Sequence, residues 1–153
     1  MATPAAKPGR VIALFLHPAH GALPLQVPRL NALPDAGIEH DVHSRPGSSR
    51  QVLLVESADL KALDLRAGDL REQLTVDLPG LMELPAGATL TVGAVRLTIT
   101  KACEPCTHIG EMLFEDNPEA FRRRLVGRRG ILARVVSGGL ISTGDPVRLE
   151  QPA

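Results

Sequence analysis

Tryptophan and tyrosine are absent from the 153 residues and phenylalanine occurs three times, so aromatic side chains make up only 2% of the chain. That shortage removes the stacking platforms on which single-stranded nucleic-acid binders seat their bases. An excess of either charge is missing too, since 17 Lys and Arg face 17 Asp and Glu. A balanced surface has no uniform field to attract nucleic acid or an anionic membrane, so any anion site must be local. No apolar stretch approaches the roughly 20 residues that a bilayer-spanning helix needs. The run Val11 to Leu16, although preceded by Lys7 and Arg10, is too short for the core of a signal peptide with a cleavage site behind it. Two cysteines cannot form a disulfide scaffold, and without an export signal the expected compartment is the reducing cytoplasm, where thiol chemistry is open.

What remains is aliphatic. Leu, Val, Ile and Ala bring the hydrophobic fraction to 44%, enough for one domain over 1–153 with its core from about residue 10 to 150. Val11 to His17 reads as a buried strand stopped by Pro18. Pro18 to Ser49, with five prolines and several glycines and histidines, reads as an irregular excursion holding one short strand. Gln51 to Glu56 is a further strand, and Ser57 the expected N-cap of a short helix that carries Leu60 and Leu63 inward and closes at Gly68. Leu90, Val92, Val95, Leu97 and Ile99 have the period of two of a strand pair or bulged strand, interrupted at Gly93-Ala94. Asn117-Pro118-Glu119 starts a helix that ends near Gly127, with an N-cap side chain, a proline at the first position and an acid at the positive end of the dipole. Ile131 to Val136 and Pro146 to Leu149 are the last strands, set off by turns at Ser137-Gly138-Gly139 and Gly144-Asp145. Many short strands and few helices predict a mainly β protein, a barrel or sandwich with helical additions.

The densest reactive feature is Cys103-Glu104-Pro105-Cys106. Its spacing admits a thioredoxin-like redox pair, although the surroundings are not the alternating strands and helices of that fold. It admits half of a zinc site, although His17, His20, His40, His43 and His108 show no finger or ribbon spacing. It equally admits two small buried residues at a turn.

Around these cysteines the sequence resembles the MOSC family, the C-terminal domain type of molybdenum-cofactor sulfurases. Gly37-Ile38-Glu39-His40-Asp41-Val42-His43 is similar to the family's Gly-Leu-Glu-Gly-Asp-Arg-His element, and Arg50-Gln51-Val52 follows as its Arg-Gln-Val strand. Gly68-Asp69-Leu70-Arg71-Glu72-Gln73-Leu74-Thr75 resembles its Gly-x-x-Arg-Glu-Asn-Leu-Thr segment. His40 and Val42 stand where the pattern has Gly and Arg, and Gln73 where it has Asn. The resemblance implies a MOSC-like β-barrel with a few short helices that binds molybdenum cofactor (molybdopterin), or carries persulfide sulfur, on Cys106. Cys106 is then catalytic residue and metal ligand, with a cysteine desulfurase or a molybdoenzyme as partner and a small-molecule cofactor; nucleic acid and membrane are not expected. It also implies an alternative, a molybdenum-dependent reductase of N-hydroxylated compounds, and a second, a degenerate barrel serving protein contacts.

A thiolate at Cys106 would draw on donors near Thr107, at a turn or helix start, and would be opposed by Glu104 if close. A phosphorylated pterin needs cationic and amide groups, for which Arg71, Gln73 and Lys101 are candidates, while His43 is a candidate pocket-lining acid or base. Arg122-Arg123-Arg124, with Arg128 and Arg129 beyond, reads as the solvated face and last turn of the Asn117 helix. Phe114, Phe121 and Leu125 read as core or barrel-capping.

Overall fold

The computed structural model describes residues 8–150, so residues 1–7 and 151–153 of the expected domain lie outside the described residues. The described residues form eleven strands and three α-helices, with a single 3-10 turn at Leu81–Glu83: β1 (Gly9–Leu16), β2 (Leu25–Val27), β3 (Arg29–Leu33), β4 (Gly37–Ile38), β5 (Val52–Glu56), α1 (Ser57–Ala62), β6 (Leu74–Asp77), β7 (Thr89–Val92), β8 (Val95–Ala102), α2 (Thr107–Met112), α3 (Pro118–Arg124), β9 (Ile131–Ser137), β10 (Gly139–Ser142) and β11 (Pro146–Leu149). The strands pair in the order β11-β7-β8-β9-β5-β6-β1-β2, and β11 also pairs with β1, which closes seven of them into a barrel. All these pairs are antiparallel except β5 with β6. Closure removes the open edges that a sheet of short strands would otherwise expose. Among the described residues no helix is long and apolar enough to cross a membrane.

Alternation along β5 explains its continuous apolar run. Val52 and Leu54 point into the barrel with Val11, Leu14, Leu74, Leu97 and Ala133. Leu53 and Val55 point outward and are buried beneath the helices, with Leu60, Leu63, Ile109, Phe121 and Leu125. The barrel wall therefore carries a second core on its outside, and the cysteine segment sits on that core, since Cys103 belongs to it. Gly93-Ala94 is the two-residue link between β7 and β8, with Val92 opposite Val95 and Gly93 at φ 58, the left-handed first position that glycine fills in a II′ hairpin.

Four expectations are corrected. The segment Pro18 to Ser49 holds three strands, β2, β3 and β4, not one; they are two to five residues long and β3 pairs with the distant β10, so no local periodicity announces them. The N-cap of α1 is Glu56, which is extended at the end of β5 and accepts from the Ala58 amide at 3.3 Å, so that Ser57 is the first helical residue. The helix ends at Ala62, well before Gly68. Gly68 is required instead at φ +89 against the Phe15 ring, where a Cβ would lie 2.7 Å from Cε1.

Phe114 is not core but 92% exposed. It stands at φ 58 just beyond α2, where the amides of Phe114 and Glu115 donate back to the Glu111 and Gly110 carbonyls at 3.1 and 2.9 Å. That is the residue a Schellman motif places in the left-handed region, which turns its side chain away from the helix. Phe121 and Leu125 are buried as expected. Arg122 pairs with Glu119 one turn earlier on the exposed face of α3, whose N-cap Asn117 accepts from Ala120 N at 3.1 Å.

Candidate functional site

A cleft lies on the outer wall of the barrel, over Leu53 of β5 and Leu132 of β9. It has two lobes, of about 440 and 230 Å³, that share His20, His43, Arg71 and Arg129. Five chain segments wall it: the loop after β1, the loop after β4, the residues just before β6, the cysteine segment after β8, and the residues just before β9. Arg45, Arg50, Gln73 and Cys103 line the larger lobe. His17, Cys106 and His108 line the smaller.

Asp41 organises the histidine side. Its Oδ2 accepts from the His17 backbone amide at 2.9 Å and faces His17 Nδ1 at 3.2 Å. Its Oδ1 accepts from the His43 amide at 2.8 Å and faces His43 Nδ1 at 3.1 Å. A carboxylate only accepts, so both imidazoles carry a proton on Nδ1 and, when neutral, a bare lone pair on Nε2. Burial works to raise the Asp41 pKa, but the hydrogen bonds from His17 and His43 outweigh it and hold the carboxyl well below the ordinary carboxylate range. Nε2 of His17 is buried without a partner. The loop carrying Asp41 is tied to the end of β1 by Val42 N donating to His17 O at 2.8 Å.

Gln73 closes the same network from below. Leu53 N donates to its Oε1 at 2.8 Å, which fixes the amide so that Nε2 donates to Asp41 Oδ1 at 3.3 Å. Gln73 thus lines the cleft as expected, yet both ends of its amide hold β5, β6 and the Asp41 loop in register.

The opposite wall is cationic. Arg71 Nη1 donates to Ala22 O at 2.6 Å, and Arg129 Nη1 to Leu70 O at 2.9 Å. Among the described residues no ion pair reaches Arg45, Arg50, Arg71 or Arg129. Arg129 is 8% exposed and its Nε has no partner. Burial pushes the Glu72 carboxyl above the ordinary carboxylate range, and the charge of nearby Arg129 opposes that shift only in part. Arg71 itself is held at φ 65, a conformation that costs a non-glycine residue about 1–3 kcal/mol and recurs at functional sites.

Cys106 is the N-cap residue of α2, extended at φ −141 and ψ 164. Its side chain makes no capping hydrogen bond and its thiol is exposed, whereas Cys103 is buried. Thr107 is the first residue of the helix, as the expected helix start requires, but neither it nor the exposed Lys101 of β8 lines the cleft. The structure therefore brings Cys106, Arg71, Gln73 and His43 together and leaves Lys101 and Thr107 outside. Sequence reasoning gave no site role to His17, read as the end of a strand and as one of five histidines without zinc-site spacing, or to Arg129, read with the solvated arginines of α3. The available signal for Arg129 was its place beyond Gly127, off the helix and directly before a strand.

His40 occupies the left-handed region at φ 67 and its side chain is 80% exposed. A non-glycine residue costs about 1–2 kcal/mol there, partly offset by the greater flexibility of glycine when unfolded. His40→Gly is therefore expected to stabilise the fold by about 0.5–1 kcal/mol in urea unfolding.

Residues 39–148 match the family model of the MOSC domain. No curated protein matches significantly. Among solved structures, YuaD from Bacillus subtilis superposes with a TM-score of 0.81 at 20% identity, covering 95% of this chain and 97% of that one. YiiM from Geobacillus stearothermophilus gives 0.74 at 16% identity, with 94% and 76% covered. YiiM from Escherichia coli gives 0.69 at 17%, with 98% and 72% covered. At these identities the likeness establishes the barrel.

Proposed function

Because the chain belongs to the MOSC domain family, as its match over residues 39–148 establishes, we propose that it is a carrier module that takes up molybdenum cofactor or sulfane sulfur at Cys106. The observation that carries this reading is an exposed thiol, free of any capping bond, on the wall of a cleft whose arginines lack carboxylate partners.

The residues fit the group. Arg71 and Arg129, one with its guanidinium fork unmatched by an acid and the other with a buried orphan Nε, suit the phosphate of a pterin cofactor. Cys106 would supply the soft sulfur ligand that a thiophilic metal prefers. When bound, the cofactor supplies a two-electron redox metal. The chain supplies the rest: Asp41 locks the histidine tautomers, Gln73 fixes the loop, and Leu53 and Leu132 give the cleft an apolar floor.

As a sulfur carrier, Cys106 would accept from a persulfide donor, the partner expected being a cysteine desulfurase. The Cys106 thiolate attacks the terminal sulfur of the donor, a new S–S bond forms at Cys106, and the donor S–S bond breaks. The donor leaves as a thiolate and takes the proton, with no net oxidation. Incubation with a desulfurase and free cysteine is expected to add reductant-labile sulfur to the chain, and none to Cys106→Ser. Labile sulfur of equal amount on both proteins would reject the assignment.

Arg71→Ala is expected to weaken retention of molybdopterin about 10–100-fold, because a charge-assisted hydrogen bond contributes about 1.5–3 kcal/mol. Arg71→Lys should fall between, since it keeps the charge and loses the fork. Equilibrium dialysis with fluorescence of the pterin checks the order.

A further inference from the structure

Four of the chain's five histidines are brought to one place: His17, His20, His43 and His108 line the smaller lobe together with Cys106. Spacing along the chain did not announce this, since the five residues come from three separated segments. From this convergence we infer that the smaller lobe is a binding site for a zinc-class divalent cation, with His17, His43 and Cys106 as ligands and Asp41 as the carboxylate behind the two imidazoles.

The donor set has the arrangement such ions require. Tetrahedral sites of this class are built from imidazole nitrogen and thiolate sulfur. An imidazole ligand ordinarily gives its remaining N–H to a carboxylate, which sets the ring orientation and raises ligand basicity. Asp41 does this for His17 and His43 at once, through Nδ1 contacts of 3.2 and 3.1 Å. Both Nε2 atoms are left as lone-pair donors. The rings of His17 and His43 stand edge to face with centroids 5.2 Å apart, and the His20 ring centroid lies 6.0 Å from that of His43. Ligand-capable atoms of His17, Asp41 and His43 all lie within 4.8 Å of one another; Cys106 lines the same lobe but stands outside that group, so its ligation requires the exposed side chain to turn inward.

The independent observation is the state of His17. Its ring is 1% exposed, it lines the lobe, and its Nε2 has no hydrogen-bond partner. A buried nitrogen with a bare lone pair is unsatisfied unless something in the lobe meets it. A histidine retained only for packing would not need its tautomer fixed by a shared carboxylate. Arg71 and Arg129, which line the same lobe, oppose a bare dication, so Asp41 and the Cys106 thiolate carry the compensating charge.

The inference concerns the chain alone and does not rest on sulfur or cofactor loading. Metal-free protein titrated with Co²⁺ is expected to bind one ion per chain, with tetrahedral visible bands and a thiolate-to-cobalt band in the near ultraviolet, both displaced by Zn²⁺. Cys106→Ser should remove the near-ultraviolet band and keep the visible ones. His43→Gln, at a half-exposed position that tolerates change, should weaken binding at least 10-fold, as should His17→Gln, while His40→Gln should not alter it. Far-ultraviolet dichroism of each variant confirms that the barrel is intact. Binding equal in His43→Gln and the parent, or no binding by the parent, would overturn the site. Binding without the near-ultraviolet band would remove Cys106 from it. A chain that binds no Co²⁺ yet takes sulfur at Cys106 would refute this inference and leave the carrier reading standing.

Discussion

Asp41→Asn is expected to lower the stability of the fold by about 3 kcal/mol, because every hydrogen-bond partner of the Asp41 carboxylate is a donor. The amides of His17 and His43, the two Nδ1–H groups and the Gln73 amide all point at its oxygens. Asparagine offers one oxygen and one NH₂, so on one side two donors face a third and buried N–H groups are left unpaired. The corresponding drop in melting temperature is about 6–12 °C for a chain of this length.

The same contacts give a pH signature. The folded Asp41 pKa lies below the unfolded value, so its contribution is fully present above the ordinary carboxylate range and is lost as pH falls through the folded pKa. The stability gap between parent and Asp41→Asn should hold steady above about pH 5 and narrow progressively in more acid solution. A gap below about 1 kcal/mol at neutral pH, within the range of an ordinary surface substitution, would mean that the network does not hold the loop.

Gly130→Ala is the second large effect. Gly130 stands at φ +107, and a Cβ there would lie 2.8 Å from Leu54 O and 2.9 Å from both Leu53 Cδ1 and Val55 Cγ2. Backbone strain and overpacking add, so the expected loss is about 3–4 kcal/mol. Gly127→Ala is the matched control: its φ is +77 but its surroundings are open, so only the strain of about 1 kcal/mol remains. The site should feel Gly130→Ala as well, because Gly130 O accepts from Cys103 N at 2.9 Å and so anchors the cysteine segment. Alkylation of Cys106 under native conditions is expected to change rate in Gly130→Ala and not in Gly127→Ala.

These two positions also mark what could be read in the chain and what could not. Local chemistry was legible where one element decides it. The Val11 to Leu16 run became β1, Gly93 turned the hairpin, and Asn117-Pro118-Glu119 capped α3. The number of short strands indicated a barrel or sandwich, and the resemblance to the MOSC family narrowed it to a barrel. Its closure depends on Gly9 pairing with Val147 and Arg10 with Pro146, across nearly the whole chain, and no local pattern carries that. The site divides in the same way. Cys106, Arg71, Gln73 and His43, which line the cleft, were singled out through motifs similar to the family's, because each lies inside a segment with its own signature. His17 and Asp41 meet across 24 residues, and Arg129 reaches Leu70 across 59. Their roles exist only once β1, β6 and β9 are side by side. Gln73 shows the limit of a motif: the residue was identified, but its amide serves the scaffold that holds Asp41.

The most direct test is the mass of the intact protein, expressed with molybdate and a cysteine desulfurase and purified without reductant, beside its Cys106→Ser variant. The account predicts an added sulfur atom or bound molybdopterin on the parent and a bare chain in the variant. A bare chain in both, under conditions that load a known cofactor binder, would contradict it.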